Sequence, residues 1–148
     1  MKPKERVLNA IQRKEVDRPP VFATLTPHAA KNLSDHMGLP YEEPINSLLA
    51  SRASHNDLLV HMGNDCVGVA ACYPETNPIQ IRNDGTFVNE WGMIFKDIGL
   101  YNEFADYTLK NVTSAKEIER YSFPDPDAPG RYKEAIATIN KYGEEYAV

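Results

Sequence analysis

The sequence predicts an α/β chain: the N-terminal part of a wound (β/α)8 TIM barrel, interrupted by a β-hairpin insertion. Three observations predict it. Helix-like and strand-like stretches alternate along the chain. The run Cys66-Val67-Gly68-Val69-Ala70-Ala71-Cys72 is apolar without polar alternation, as strands covered on both faces are. The helix-like stretch 131–141, closed by Gly143, leads into Tyr146-Ala147-Val148, which reads as the first residues of a buried strand before the sequence ends. An intact barrel takes about 250 residues. The 148 residues here are therefore expected to form one incomplete, truncated domain holding two strands and the start of a third.

The elements follow in order. Lys4 to Arg13 reads as a short amphipathic helix with Val7, Leu8 and Ile11 on one face. Asp17-Arg18-Pro19-Pro20 breaks it, because proline lacks an N–H and disfavours helix in the residue before it. Val21 to Leu25 is a short apolar strand. Thr26-Pro27 is a capping hydroxyl followed by a first-turn proline, and that helix stops at Gly38. A longer helix is expected from Pro44 to Met62, with Ile45, Leu48, Leu49, Leu58, Leu59 and Met62 in its stripe. The run 66–72 is then a strand, with a helix as the alternative. Ile79 to Arg82 alternates, Asn83-Asp84-Gly85 is a hairpin turn, and Thr86-Phe87-Val88 resumes, so a hairpin insertion spans about 78–96. Ser114 to Glu117 is a capping box. The last helix is expected to bury Tyr132, Ala135, Ile136 and Ile139.

Composition bounds the function. Apolar residues make up 42% and charged residues 25%, a globular balance. A net charge of −5 argues against nucleic-acid binding, which calls for a basic face. No apolar run approaches the roughly 20 residues that span a membrane, and the N-terminus has no signal-peptide core. Two cysteines make no disulfide framework, so a cytoplasmic setting is expected.

Lys4-Glu5-Arg6-Val7-Leu8 with Ala10-Ile11, followed by Lys14-Glu15-Val16-Asp17-Arg18-Pro19-Pro20-Val21, resembles the opening of the uroporphyrinogen decarboxylase superfamily. Asn89-Glu90-Trp91-Gly92 and Tyr121-Ser122-Phe123-Pro124-Asp125-Pro126-Asp127 resemble two later signatures of its methyltransferase-like branch. The resemblance implies a (β/α)8 barrel with its active site at the C-terminal mouth of the strands. It implies either decarboxylation of uroporphyrinogen or methyl transfer among methylated donors, corrinoid proteins and thiols such as coenzyme M. The decarboxylases place two arginines after the Pro-Pro-Val segment, to grip a polycarboxylate with guanidinium forks. The matching positions here are Leu25 and Ala29, and the slot of the decarboxylase aspartate falls on Cys72, counting from Asp65. These departures move the expectation to the methyltransferase-like branch. That branch binds zinc through a His-x-Cys pair and a distant Cys, and no His-x-Cys occurs here. Zinc and a corrinoid protein are accordingly expected of a full-length parent and not of this chain.

Four residues are candidates for substrate binding. Cys72 ends a predicted strand and lines a pocket, or is a small buried side chain. His28, in the first turn after the first strand, reaches a ligand or faces solvent. Trp91 shapes a lid over the barrel mouth, or anchors the hairpin on the core. Glu75, after Pro74, is a mouth carboxylate or a solvated loop charge. His36, His55 and His61 read as surface or capping residues, and Asp17-Arg18 as a structural pair. Asp125 and Asp127 read as a turn and a helix cap. Three functions follow: the N-terminal segment of a corrinoid-linked methyltransferase, a decarboxylase relative in tetrapyrrole biosynthesis, or a non-catalytic piece that acts only with a complementary chain. An unpaired strand edge predicts self-association or assembly with that chain.

Overall fold

The computed structural model describes residues 1–45, 53–77, 79–99 and 102–148. In chain order the elements are α1 (Pro3–Ile11), α2 (Pro27–Met37), α3 (Asn56–His61), β1 (Gln80–Ile81), β2 (Thr86–Val88), β3 (Ile94–Asp97), β4 (Asn102–Asp106), α4 (Ala115–Glu119) and α5 (Lys133–Tyr142). The chain divides into two compact units, Met1–Cys72 with Tyr132–Val148, and Tyr73–Arg131.

The first unit is built around helices and charge. α1 starts on Pro3, whose missing N–H costs nothing in a first turn. It turns Arg6 inward and leaves Leu8 and Ile11 exposed. α2 begins as its sequence dictates. The Thr26 hydroxyl accepts from the Ala29 N–H at 3.3 Å, and Gly38 closes the helix at φ 67°. The helix expected over Pro44 to Met62 is not continuous. His55 sits in the left-handed region at φ 62°, which a right-handed helix cannot pass through, so α3 starts only at Asn56. Leu48 and Leu49 of that expected stripe lie outside the described residues. α5 forms where predicted, but Tyr132, Ile136 and Ile139 are exposed rather than buried and Ala135 is half-buried.

The barrel opening does not form. The one sheet among the described residues is four-stranded and antiparallel throughout, in the order β1-β2-β3-β4. Among the described residues, an isolated parallel bridge joins Cys66 and Ala147. Side chains explain why the expected strands 21–25 and 66–72 are missing. The Ala23 N–H and carbonyl bond to the Asn64 side chain at 3.2 and 3.0 Å, and the Val21 N–H donates to Asp65 at 2.8 Å. Gly68 is held the same way by both ends of the Asn56 amide. Side chains thus take several backbone groups that a neighbouring strand would use, and the backbone bonds that do join these runs are few: Asp65 N–H to the Val21 carbonyl, Val67 N–H to the Ala147 carbonyl and Ala147 N–H to the Asp65 carbonyl.

The second unit is the sheet and its flanks. Gly85, at φ 79°, closes the β1–β2 turn, and Asp84 Oδ1 accepts from the Thr86 N–H and hydroxyl. Asn89 templates the next turn, its Oδ1 accepting from the Trp91 and Met93 N–H groups. Phe87 and Phe95 stack across β2 and β3, and Phe95 meets Phe104 of β4 at 4.6 Å between centroids. Before α4, the Glu117 carboxylate reaches back to the Thr113 and Ser114 N–H groups, as the capping box predicts.

Candidate functional site

Asp65 is the centre of the first unit's polar core. Its side chain is fully buried. It accepts from Arg6, from both terminal nitrogens of Arg18 at 2.7 and 3.0 Å, and from the Val21 N–H. Arg6 also grips Asp17 through two bonds of 2.6 and 2.8 Å. Bonds to Asp17, then Asp65, raise the Arg6 pKa further above its already high range. Asp17 is held well below the usual carboxylate range, first by Arg6. Burial alone would raise Asp65, but the Val21 N–H, Arg18 and Arg6 overcome it and leave the pKa lowered. The Asp17-Arg18 pair is thus structural, as its place before the Pro-Pro turn predicts.

A cavity of about 270 Å3 opens in the same unit, lined by Glu42, Glu43, His55, Glu134, Lys141 and Tyr142 among others. Glu42 and Glu43, from the chain before α3, and Glu134 and Lys141 of α5 supply its charged wall. Lys141 donates to both oxygens of Asp57 at 2.7 and 2.6 Å, and the Tyr142 hydroxyl donates to the same carboxylate. The Asp57 N–H donates to Glu42. Burial and the Asp57 carboxylate push the Tyr142 hydroxyl up to about 12, so it stays protonated at neutral pH. Burial, then Asp57, also raises the Glu42 pKa.

His55 is not a surface residue. It is 3% exposed, stacks on Tyr41 at 5.7 Å, and neither ring nitrogen has a hydrogen-bond partner. Burial lowers its pKa, with the Glu42 backbone and Glu43 opposing, so the ring is held toward its neutral form. Both nitrogens are closed to solvent, so they cannot exchange protons with a ligand in this arrangement. The cavity is a polar pocket walled by charged residues, one of which, Lys141, is salt-linked to Asp57.

The four sequence candidates are not gathered into one site within either unit. In the first, His28 is exposed on α2 beside Asn32 at 3.2 Å, and Cys72 is buried with its Sγ 3.9 Å from the Ala70 carbonyl. In the second, Glu75 is exposed, and its N–H donates to Pro129. Trp91 packs edge-on against Phe123, and its carbonyl accepts from Thr108 and Tyr121. The indole N–H is buried and has no hydrogen-bond partner. Glu90 beside it forms a fork with Arg131 at 2.7 and 2.6 Å. Asp125 accepts the Asp127 N–H in a turn, but the residue preceding α5 is Tyr132, so neither aspartate caps it.

The residues do not fit the zinc that the resemblance implies. Among the described residues no group of three His, Cys, Asp or Glu side chains could hold a metal ion. Both thiols are pushed up, Cys66 by burial and then Asp65, Cys72 by burial and then Glu134, away from the thiolate a metal needs. Among the described residues no helix is long and apolar enough to cross a membrane.

Sequence reasoning missed the Asp57–Lys141–Tyr142 cluster and the Glu90–Arg131 fork. Their members stand 84, 85 and 41 residues apart, and no local pattern links them. Comparison with known protein families, with curated proteins and with solved structures finds no match.

Proposed function

We propose that this chain is the scaffold-forming, non-catalytic part of a corrinoid-linked methyl-transfer system of the uroporphyrinogen decarboxylase-like kind, and that it acts with a complementary polypeptide. One observation carries the reading: the separate motifs of the resemblance meet in pairs. Arg6 of the first touches Asp17 of the second, and Arg18 and Arg6 share Asp65. Glu90-Trp91 of the third touches Tyr121 and Phe123 of the fourth.

In this reading the complementary polypeptide supplies the zinc and the corrinoid. Val21, Phe22, Ile136 and Ile139, each more than two-fifths exposed, give it apolar surface to cover. A cytoplasmic setting belongs to the same proposal, because a thiol acceptor must stay reduced. A uroporphyrinogen substrate is disfavoured by Leu25 and Ala29, which cannot grip carboxylates.

The test is complementation in trans. A corrinoid methyltransferase of this kind, with its opening segment deleted, is mixed with the chain, methylcobalamin and coenzyme M. Recovery of demethylation, seen as conversion of the methylcobalamin spectrum, is expected. No recovery with coenzyme M, or recovery only of uroporphyrinogen decarboxylation, overturns the proposal.

A further inference from the structure

We propose that β4 is the seam of a homodimer, in which two copies of the chain join their sheets edge to edge through antiparallel β4–β4 pairing. The inference goes beyond the functional proposal and stands without it.

β4 is the outer strand of the sheet, and among the described residues its backbone bonds only to β3. Four of its five residues are exposed. An open edge presents unpaired N–H and C=O groups to another strand, here with a bulge at Ala105 in its pairing with β3. β1, the opposite edge, is only two residues long.

The aromatic side chains show where the sheet lacks cover. The ladder Phe87–Phe95–Phe104–Tyr107 crosses from β2 to just beyond β4 with centroid spacings of 5.3, 4.6 and 5.1 Å. Phe95 is 9% exposed, whereas Phe104 is 48% and Tyr107 52% exposed. The ladder is buried in the middle of the sheet and bare at the β4 edge.

The sequence of β4, Asn102-Glu103-Phe104-Ala105-Asp106, is complementary to itself. Two copies paired antiparallel about Phe104 set Phe104 against Phe104, Glu103 against Ala105, and Asn102 against Asp106. No like charges stand directly opposite, and the two aromatic ladders continue on one face. Centring the pair on Glu103 would oppose two carboxylates. Centring it on Ala105 would set Phe104 against Asp106. Only the Phe104-centred register satisfies charge and ring together. It is also two-fold symmetric, so it closes as a dimer.

In this register Glu103 lies between Lys96 of β3 and Ala105 of the second copy. Position 105 therefore reads the interface by charge. Sedimentation equilibrium of the full chain is expected to show a concentration-dependent dimer. Ala105→Glu places two pairs of like charges across the seam and weakens the dimer by about tenfold, and Ala105→Lys strengthens it by a similar factor. Glu103→Lys combined with Ala105→Glu restores it. Ala105 is exposed, so circular dichroism should show all variants folded. Should Ala105→Glu fail to fold, Ala105→Lys still decides. A wild-type monomer at every concentration, or a dimer indifferent to the sign of the charge at 105, overturns the proposal.

Discussion

The Arg6 guanidinium donates to the Asp65 carboxylate across 59 residues of sequence, and both side chains are closed to solvent. With Arg18 and the Val21 N–H on the same carboxylate, α1, the proline-rich turn and the residues after α3 are fixed at one point. Arg6 also bonds a second carboxylate, Asp17. Loss of the Asp65 charge leaves the buried Arg6 guanidinium with Asp17 alone as its counter-charge.

Asp65→Asn keeps the shape and removes the charge. It should cost about 3–5 kcal/mol, because it breaks a buried ion pair by removing one partner. A fall in the urea midpoint followed by far-ultraviolet circular dichroism checks this, and an unchanged midpoint refutes it. The pH dependence has a defined sign. Asp65 and Asp17 both have lowered folded pKa values, so their stabilisation is present above the unfolded carboxylate range near pH 4 and is lost as pH falls below it.

Local features were legible in the sequence. The Thr26-Pro27 start, the Gly38 stop, the Asn83-Asp84-Gly85 turn and the Ser114–Glu117 box each act within a few residues, and each formed. The fold class was not legible, because it turned on Asn56, Asn64 and Asp65. Their side chains occupy backbone groups of Gly68, Ala23 and Val21, so among the described residues the apolar runs that read as parallel strands pair only at isolated points. Hydrophobic pattern reports what is buried, and side-chain competition for the backbone decides whether burial takes the form of a strand. β4 escaped notice for the opposite reason. Its acidic residues and single Phe104 show no core-facing alternation. Within the cavity, His55 fell inside a nominal helix, although Ser54-His55-Asn56 holds two residue types that enter the left-handed region more readily than most.

His55 makes the first unit sensitive to mild acid. Its ring is buried, and its folded pKa is lowered from 6.5. The groups around it are Tyr41, Glu42 and Glu43, with Glu134 and Lys141 on the cavity wall. The unfolded chain binds the proton more readily, so stability is full above about pH 6.5 and falls as pH drops toward the folded pKa. One such site contributes a slope of at most about 1.4 kcal/mol per pH unit. His55→Asn keeps a residue that tolerates positive φ and removes the titration. Urea melts between pH 7 and pH 5 should be less steep in pH for the variant, and coincident slopes would show that His55 does not titrate on unfolding.

Glu90 and Arg131 give the second unit its own buried fork, with side chains 4% and 8% exposed. Arg131 also donates to the Asp125 carbonyl at 3.0 and 2.7 Å, so the pair ties the turn after β2 to the proline-rich loop before α5. Glu90→Gln removes the charge on one side of the buried fork and should cost about 1–3 kcal/mol. Arg131→Lys keeps a charge but loses the two-pronged geometry, and should cost less than Glu90→Gln. Trp91 is the single tryptophan of the chain and adjoins the fork, so its fluorescence reports this unit directly. A Trp91 transition at lower urea in Glu90→Gln, with a smaller shift in Arg131→Lys, is the expected result. Equal shifts would mean that net charge, and not the fork, holds the loop in place.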